Sequence, residues 1–179
     1  MSNYYYFVAS LPMLHFGAKP PFSFEHFLRQ CADLIPEKDY AAVALCGRDL
    51  FLEDETDLPL LKEWMEFETA LRNELVKIRA ARRKIDPARY LRRDGYTESA
   101  LYHAAMNSQR IPSFMDGEKF LDQERWRKLD ELSFGHYFDL EVLVVYALKL
   151  HILVRWDTIA GADKQKELER VLPGTTQKQ

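Results

Sequence analysis

Residues 139–156, Asp-Leu-Glu-Val-Leu-Val-Val-Tyr-Ala-Leu-Lys-Leu-His-Ile-Leu-Val-Arg-Trp, run without a glycine or a proline. The Val-Leu-Val-Val centre suits a strand, because β-branched side chains pack well on a pleated surface. Length decides against it: strands usually run about 5–6 residues and seldom exceed about 10. The segment is therefore expected to be a helix. Its apolar residues cover most of the helical circumference, so it should be the most buried helix of the molecule. A chain built around such a helix needs amphipathic partners to cover it.

Those partners are visible in the spacing. Leu60, Trp64, Phe67, Leu71, Leu75 and Ile78 recur at steps of three and four, which predicts a long amphipathic helix with Lys62, Glu66, Arg72, Asn73 and Lys77 on its other side. Ser23 reads as the cap of a helix over 24–35 carrying Phe24, Phe27, Leu28 and Cys31. Pro36 opens a second helix that Gly47 closes. Acidic residues Glu53, Asp54, Glu55 and Asp57 precede the long helix and favour its positive end. Beyond it, Asp86-Pro87 breaks the pattern. A short helix over Pro87–Arg93, one begun by Thr97, one starting at Asp116 and one over 162–171 complete the series, with Ser108–Phe114 as a loop. Only 7 glycines and 8 prolines occur, too few turn residues for a many-stranded fold. The expected fold is all-α: an irregular bundle of about seven to nine helices, one domain over 1–179, with a polar tail at 173–179. A division into two lobes near 84–95 is the alternative.

The opening Asn3-Tyr4-Tyr5-Tyr6-Phe7-Val8-Ala9-Ser10-Leu11 sets large rings beside a chain end. It fits a short strand or a first helical turn. Packing on the body, against the apolar face of 140–156, is the expectation. Four consecutive rings cannot all face one way, so at least one of Tyr4, Tyr5, Tyr6 and Phe7 should be partly exposed; the alternative to packing is that some of these rings stay exposed as partner anchors.

Signals of catalysis are few. Neither GxxxxGK nor GxGxxG occurs, nor HExxH, nor the Glu-x-x-His of di-iron bundles. Ser10, Ser23 and Ser113 lack a nucleophile-elbow context. No metal ligand set and no cofactor is expected. His15, His26, His103, His136 and His151 are scattered; His151, in the buried helix, is the one with a candidate role. A small-molecule site from His151, Tyr146 and Glu141 is the enzymatic alternative. Glu63, Glu66 and Glu68 read as a solvated face, and Cys31 and Cys46 as buried free thiols. The apolar opening lacks a basic leader, and no apolar run reaches a membrane-spanning length of about 18–20 residues. These readings place the protein in the cytoplasm. Residues 77–93 hold Lys77, Arg79, Arg82, Arg83, Lys84, Arg89, Arg92 and Arg93 against one Asp. That run suits a solvated helix end, an acidic partner or an RNA-binding module. Tyr90 alone would offer a stacking platform, and the net charge of −3 disfavours nucleic acid. Arg82, Arg83, Arg89, Arg92 and Arg93 join the three tyrosines as partner-binding candidates.

The stretches "YYYFVASLPML", "KPPFSFEHFLRQC", "FETALRNELVKIRAARR" and "FDLEVLVVYALKLHILVRW" resemble a small bacterial family of unknown function encoded within V-type (A/V-type) ATPase operons. That family in turn resembles a reduced form of the C/d-type component of V-type ATPases, an all-helical connector between rotor stalk and membrane ring. Asp139, Leu140, Lys149 and Arg155 fall in a comparable place to its Asp–x–x–Asn…Arg/Lys pattern, with Val142 where the Asn stands. The resemblance implies no catalysis. It implies a stiff helical accessory, assembly or stalk protein that docks on V-type ATPase subunits at the cytoplasmic face of the membrane.

Overall fold

The computed structural model describes residues 4–48, 50, 56–92 and 99–171. Among them the chain forms seven α-helices: α1 Tyr5–Ser10, α2 Phe24–Leu34, α3 Glu37–Leu45, α4 Pro59–Arg83, α5 Ser99–Arg110, α6 Phe114–Leu132 and α7 Leu140–Val171. A 3-10 turn at Pro87–Arg89 is the only other regular element among these residues. The fold is all-α, as the periodicity requires. Arg93, the acids at 53–55, the Thr97 cap and the tail at 173–179 lie outside the described residues, and the 84–95 boundary lies partly outside them.

Two layers meet along α7. On one side α4, α5 and α6 pack in sequence order; on the other, α2 and α3 form a hairpin, and α7 touches α6, α2 and α3. Leu143, Val144, Ala147 and Leu150 of α7 have no exposed surface, and Phe27 of α2, Leu71 of α4 and Leu129 of α6 complete the same core. Each such side chain contributes about 1.5–3 kcal/mol relative to an exposed one. Among the described residues, no helix is long and apolar enough to cross a membrane.

Local chemistry sets the boundaries. The Ser23 hydroxyl accepts the His26 N–H at 3.2 Å, and the Ser113 hydroxyl accepts that of Asp116 at 3.2 Å, so each caps a helix. Helix α6 thus starts at Phe114, a little before the expected Asp116. Lys84 ends α4 in the left-handed region at φ 54°, and Ile85 N–H returns to the Ala80 carbonyl at 3.1 Å. Three expectations need correction. Residues after Pro87 make a 3-10 turn, not a helix, because the Asp86 carboxylate accepts Ala88 N–H and closes a tight turn. Ser108–Arg110 continue α5 rather than forming a loop. The expected break before 162 is absent: α7 continues through Gly161, where a helical glycine costs about 1 kcal/mol relative to alanine but does not stop an otherwise strong helix.

Candidate functional site

Two regions combine polar or aromatic groups in a way the core does not require. The first is a buried ion-pair network where α4, α6 and α7 meet. Asp122 of α6 has no exposed surface, yet its carboxylate is fully partnered. One oxygen accepts from Arg125 Nη1 at 2.9 Å; the other accepts from Trp156 Nε1 at 2.6 Å and from Arg155 Nη2. Arg125 turns its remaining donors to Glu68 of α4, Nε to Oε1 and Nη2 to Oε2, the latter at 3.3 Å. Arg72 Nε stands 3.3 Å from the same Oε2. Burial alone would depress the Arg125 guanidinium; the Glu68 and Asp122 carboxylates outweigh it and hold its pKa above the ordinary arginine value. A bidentate arginine thus staples α6 to α4, and an aspartate staples α6 to α7.

This network corrects the sequence reading of Glu68 and Asn73. Glu68 is buried, not on a solvated face, because α4 is covered on more than one side by α5, α6 and the core. Asn73 is buried too: its amide donates to the Arg92 carbonyl at 2.6 Å and accepts Arg92 N–H at 3.0 Å, tying the chain after the 3-10 turn back onto α4. Asp122 carries no motif that marks it in the sequence. The available signal is position: Glu68 lies four after Trp64, and Asp122 four before Trp126, so both sit on apolar stripes.

His151 borders the network across a cleft of about 80 Å³ that Arg48, Arg72 and Arg155 also line. That volume holds a few waters, whereas pockets for drug-sized ligands run about 300–1,000 Å³. The His151 ring meets the Phe24 ring edge-on at 5.8 Å. Tyr146 and Glu141 do not join it. The Tyr146 hydroxyl donates to the Pro12 carbonyl at 3.0 Å, and burial pushes its pKa up to about 12. Glu141 lies two to three turns away along α7, about 15 Å by helical rise, beside His136. Cys31 and Cys46 are buried and unbridged; burial pushes the Cys31 thiol up to about 12 and Cys46 further.

The second region is the end of the bundle formed by α1 and the α6–α7 turn. Tyr4 points inward: its N–H donates to the Phe138 carbonyl at 3.0 Å and its hydroxyl to the Asp39 carboxylate. Phe7 is buried and stacks on Phe27 at 6.3 Å. The tied-down N-terminus is therefore a helix, and it packs on α2 and the α6–α7 turn. Tyr5 and Tyr6 point out, with Tyr6 88% exposed. Tyr5 packs on Phe138 at 4.6 Å and on Tyr6 at 5.5 Å, and the same turn exposes Phe134 at 89% and Tyr137 at 70%. Gly135, at φ 86°, lets the turn reverse so that these rings stand outside the core. His136 Nδ1 lies 2.7 Å from Asp139 Oδ2 and 4.0 Å from Glu141, and the three ligand-type atoms fall within 4.8 Å of one another. Asp139 Oδ1 accepts Val142 N–H at 3.2 Å and so caps α7.

The basic candidates sit at the other end of α6. Arg82 donates to the Gln109 carbonyl at 2.9 Å, and Arg79 approaches Glu118 at 3.8 Å. Arg83, Arg89 and Arg92 are exposed. The structure thus places the tyrosines and the arginines on different parts of the molecule, with no shared site.

No curated protein and no solved structure matches the chain. Asp122, Arg125, His151, Arg155, Trp156 and the ring-bearing turn all fall in the one span that does find a likeness. Residues 101–172 match the model of a family described as protein of unknown function (DUF2764), and it is to that family that this part of the chain is similar.

Proposed function

We propose that the protein is a non-catalytic helical accessory, assembly or stalk component of a bacterial V-type ATPase, docking on the central stalk or membrane ring at the cytoplasmic face. The observation that carries the docking reading is the cluster of exposed rings on α1 and the α6–α7 turn. Tyr5, Tyr6, Phe134, Tyr137 and Phe138 are all at least 39% exposed. Exposed aromatic clusters mark interaction surfaces, because each ring buries a large area at little entropic cost. Support for the ATPase as the partner comes from the resemblance of the opening block and of 138–156 to the operon-encoded family. The buried charges find partners within the bundle, and the cleft beside them has room for a few waters, which suits a framework better than an active site.

The test is co-purification. Tagged protein expressed from its own locus should recover ATPase stalk or ring subunits from detergent-solubilised membranes, and Tyr6→Ser with Phe134→Ser should reduce the yield. Recovery of the assembled ATPase without the tagged chain, in cells that express both, refutes the proposal.

A further inference from the structure

We infer that the aromatic end receives a cationic segment of a protein partner, an amphipathic stretch whose lysine or arginine side chains lie between the exposed rings and the neighbouring carboxylates. This names the partner chemistry of the docking surface proposed above and rests on that reading.

The argument starts from charge. Between Met1 and Ala18, and again between Leu129 and Leu148, the sequence contains no lysine or arginine. These two stretches supply α1, the α6–α7 turn and the start of α7. Acids are not excluded in the same way. Asp139 and Glu141 flank the turn, Asp39 holds the Tyr4 hydroxyl, and Asp39 and Asp57 both line a groove of about 460 Å³ that reaches Leu140 at the head of α7. Lys38 is the one cation of that groove lining among the described residues. Elsewhere the described acids commonly meet cations: Glu68 with Arg125, Glu63 with Lys128 and Glu124 with Arg127. Among the described residues, Asp139 and Glu141 pair only with His136. The end of the bundle therefore presents aromatic faces beside carboxylates that no described lysine or arginine bridges.

That combination selects the occupant. A guanidinium or ammonium gains on an aromatic face and pairs with carboxylates at the same time, each the more strongly as water is excluded. A second copy of this chain would bring like-charged rims together, and an anionic membrane surface would repel the same acids. Both occupants are disfavoured by the feature that favours a basic segment.

The experiment measures binding of the full chain to two fluorescein-labelled amphipathic helical peptides by anisotropy. They share one leucine pattern, with lysine in the first and glutamate in the second. The lysine peptide should bind at least about tenfold more tightly, a difference of about 1.4 kcal/mol. Its affinity should fall as salt rises. Tyr6→Ser with Tyr137→Ser should remove binding. Asp57→Asn with Glu141→Gln, which deletes charge without touching the α7 cap, should weaken it about tenfold and flatten the salt dependence. Far-UV circular dichroism and melting of each variant separate lost binding from lost fold. Equal affinity for the two peptides, or affinity that either variant pair leaves unchanged, overturns the inference. So does a dimer, seen by light scattering, that Phe134→Ser dissolves, or binding to anionic vesicles that Tyr6→Ser abolishes. Co-purification with the ATPase that is unchanged by Asp57→Asn with Glu141→Gln would leave the docking proposal standing and remove this one. Preference for the lysine peptide without ATPase recovery would do the reverse.

Discussion

Replacing Asp122 by alanine tests the central structural claim, that a buried carboxylate joins α6 to α7 and, through Arg125, supports the pair with α4. The side chain has no exposed surface and accepts from Arg125, Arg155 and Trp156. Its removal has three consequences of different size. Arg155 is 42% exposed and can turn its guanidinium to water, so that bond is worth about 0–1 kcal/mol. The Trp156 indole N–H, on a half-buried ring, loses its acceptor, and a lost hydrogen bond costs about 0.5–1.5 kcal/mol. Arg125 is only 12% exposed and keeps Glu68 alone to balance its charge. Breaking a buried pair costs about 3–5 kcal/mol in comparable cases, and the surviving Glu68 bonds place the total within that range rather than above it. For a chain of this size each kcal/mol shifts the melting temperature by about 2–4 °C. Asp122→Ala should therefore lower it by about 6–20 °C. Urea unfolding followed by far-UV circular dichroism and by tryptophan fluorescence gives the free energy directly. Arg155→Gln, which removes only the exposed donor, should cost under about 1 kcal/mol. Combining Asp122→Asn with Glu68→Gln should be non-additive by more than about 0.5 kcal/mol, since both act on Arg125. A loss below about 1 kcal/mol for Asp122→Ala, or strict additivity of that pair, would refute the network.

Three further outcomes follow from other contacts. A methyl group at Gly117 would meet the Ser108 carbonyl oxygen at 2.8 Å, so Gly117→Ala should push α5 from α6 and cost about 1–3 kcal/mol, measured by urea unfolding. Lys84 holds the left-handed position that ends α4, where glycine is preferred, so Lys84→Gly should raise stability by about 0.5–1 kcal/mol, and a melting temperature that falls would count against the assigned geometry. Burial raises the Cys31 thiol from 9.0 to about 12, with Cys46 moved in the same direction. The unfolded chain then loses protons that the folded chain keeps, so stability is fully present below about pH 9 and falls as pH rises toward 12. In native protein both thiols should resist a thiol-reactive dye at about pH 8 and react on unfolding; immediate labelling would contradict their burial.

Much of the fold is legible in the sequence because helical periodicity is a strong local signal. Leu60, Trp64, Phe67, Leu71, Leu75 and Ile78 predict one face of α4, and all of them are buried. The long apolar stretch at 139–156 likewise identifies α7 by length alone. What periodicity cannot report is how many sides of a helix are covered. Asn73 and Glu74 lie off that stripe and are nonetheless buried, because α5 and α6 close over α4. Glu68 looks solvated because charged residues usually are; its partner Arg125 stands 57 residues away in sequence, where no spacing rule reaches. The break expected before residue 162 is missing for a related reason. Gly161 weakens a helix without ending it, and the local sequence supplies no cap or proline to finish the job. The aromatic opening divides between burial and exposure as consecutive rings must, yet which ring goes inside is set by Asp39 and Phe138, both distant along the chain.

The two regions of interest are mechanically connected through α6, and this bears on the docking proposed for the aromatic end. Asp122 and Arg125 fix the middle of α6 to α7 and α4. Nearer its end, Lys128 pairs with Glu63 of α4 at 2.6 Å and Asp130 with Lys149 of α7. The next residues form the turn that carries Phe134, Tyr137 and Phe138. Tyr4 N–H then holds the far side of that turn through the Phe138 carbonyl. The exposed rings thus project from a backbone braced on both sides, although the rings themselves face solvent. Binding to a braced turn orders side chains alone, whereas a loose loop must also lose backbone freedom, at about 1–2 kcal/mol per residue. The same chain holds Glu68, Asn73, Glu74 and Asp122 in its core, each tied to a partner within the bundle, while Tyr6, Phe134 and Tyr137 stand in solvent on α1 and the braced turn.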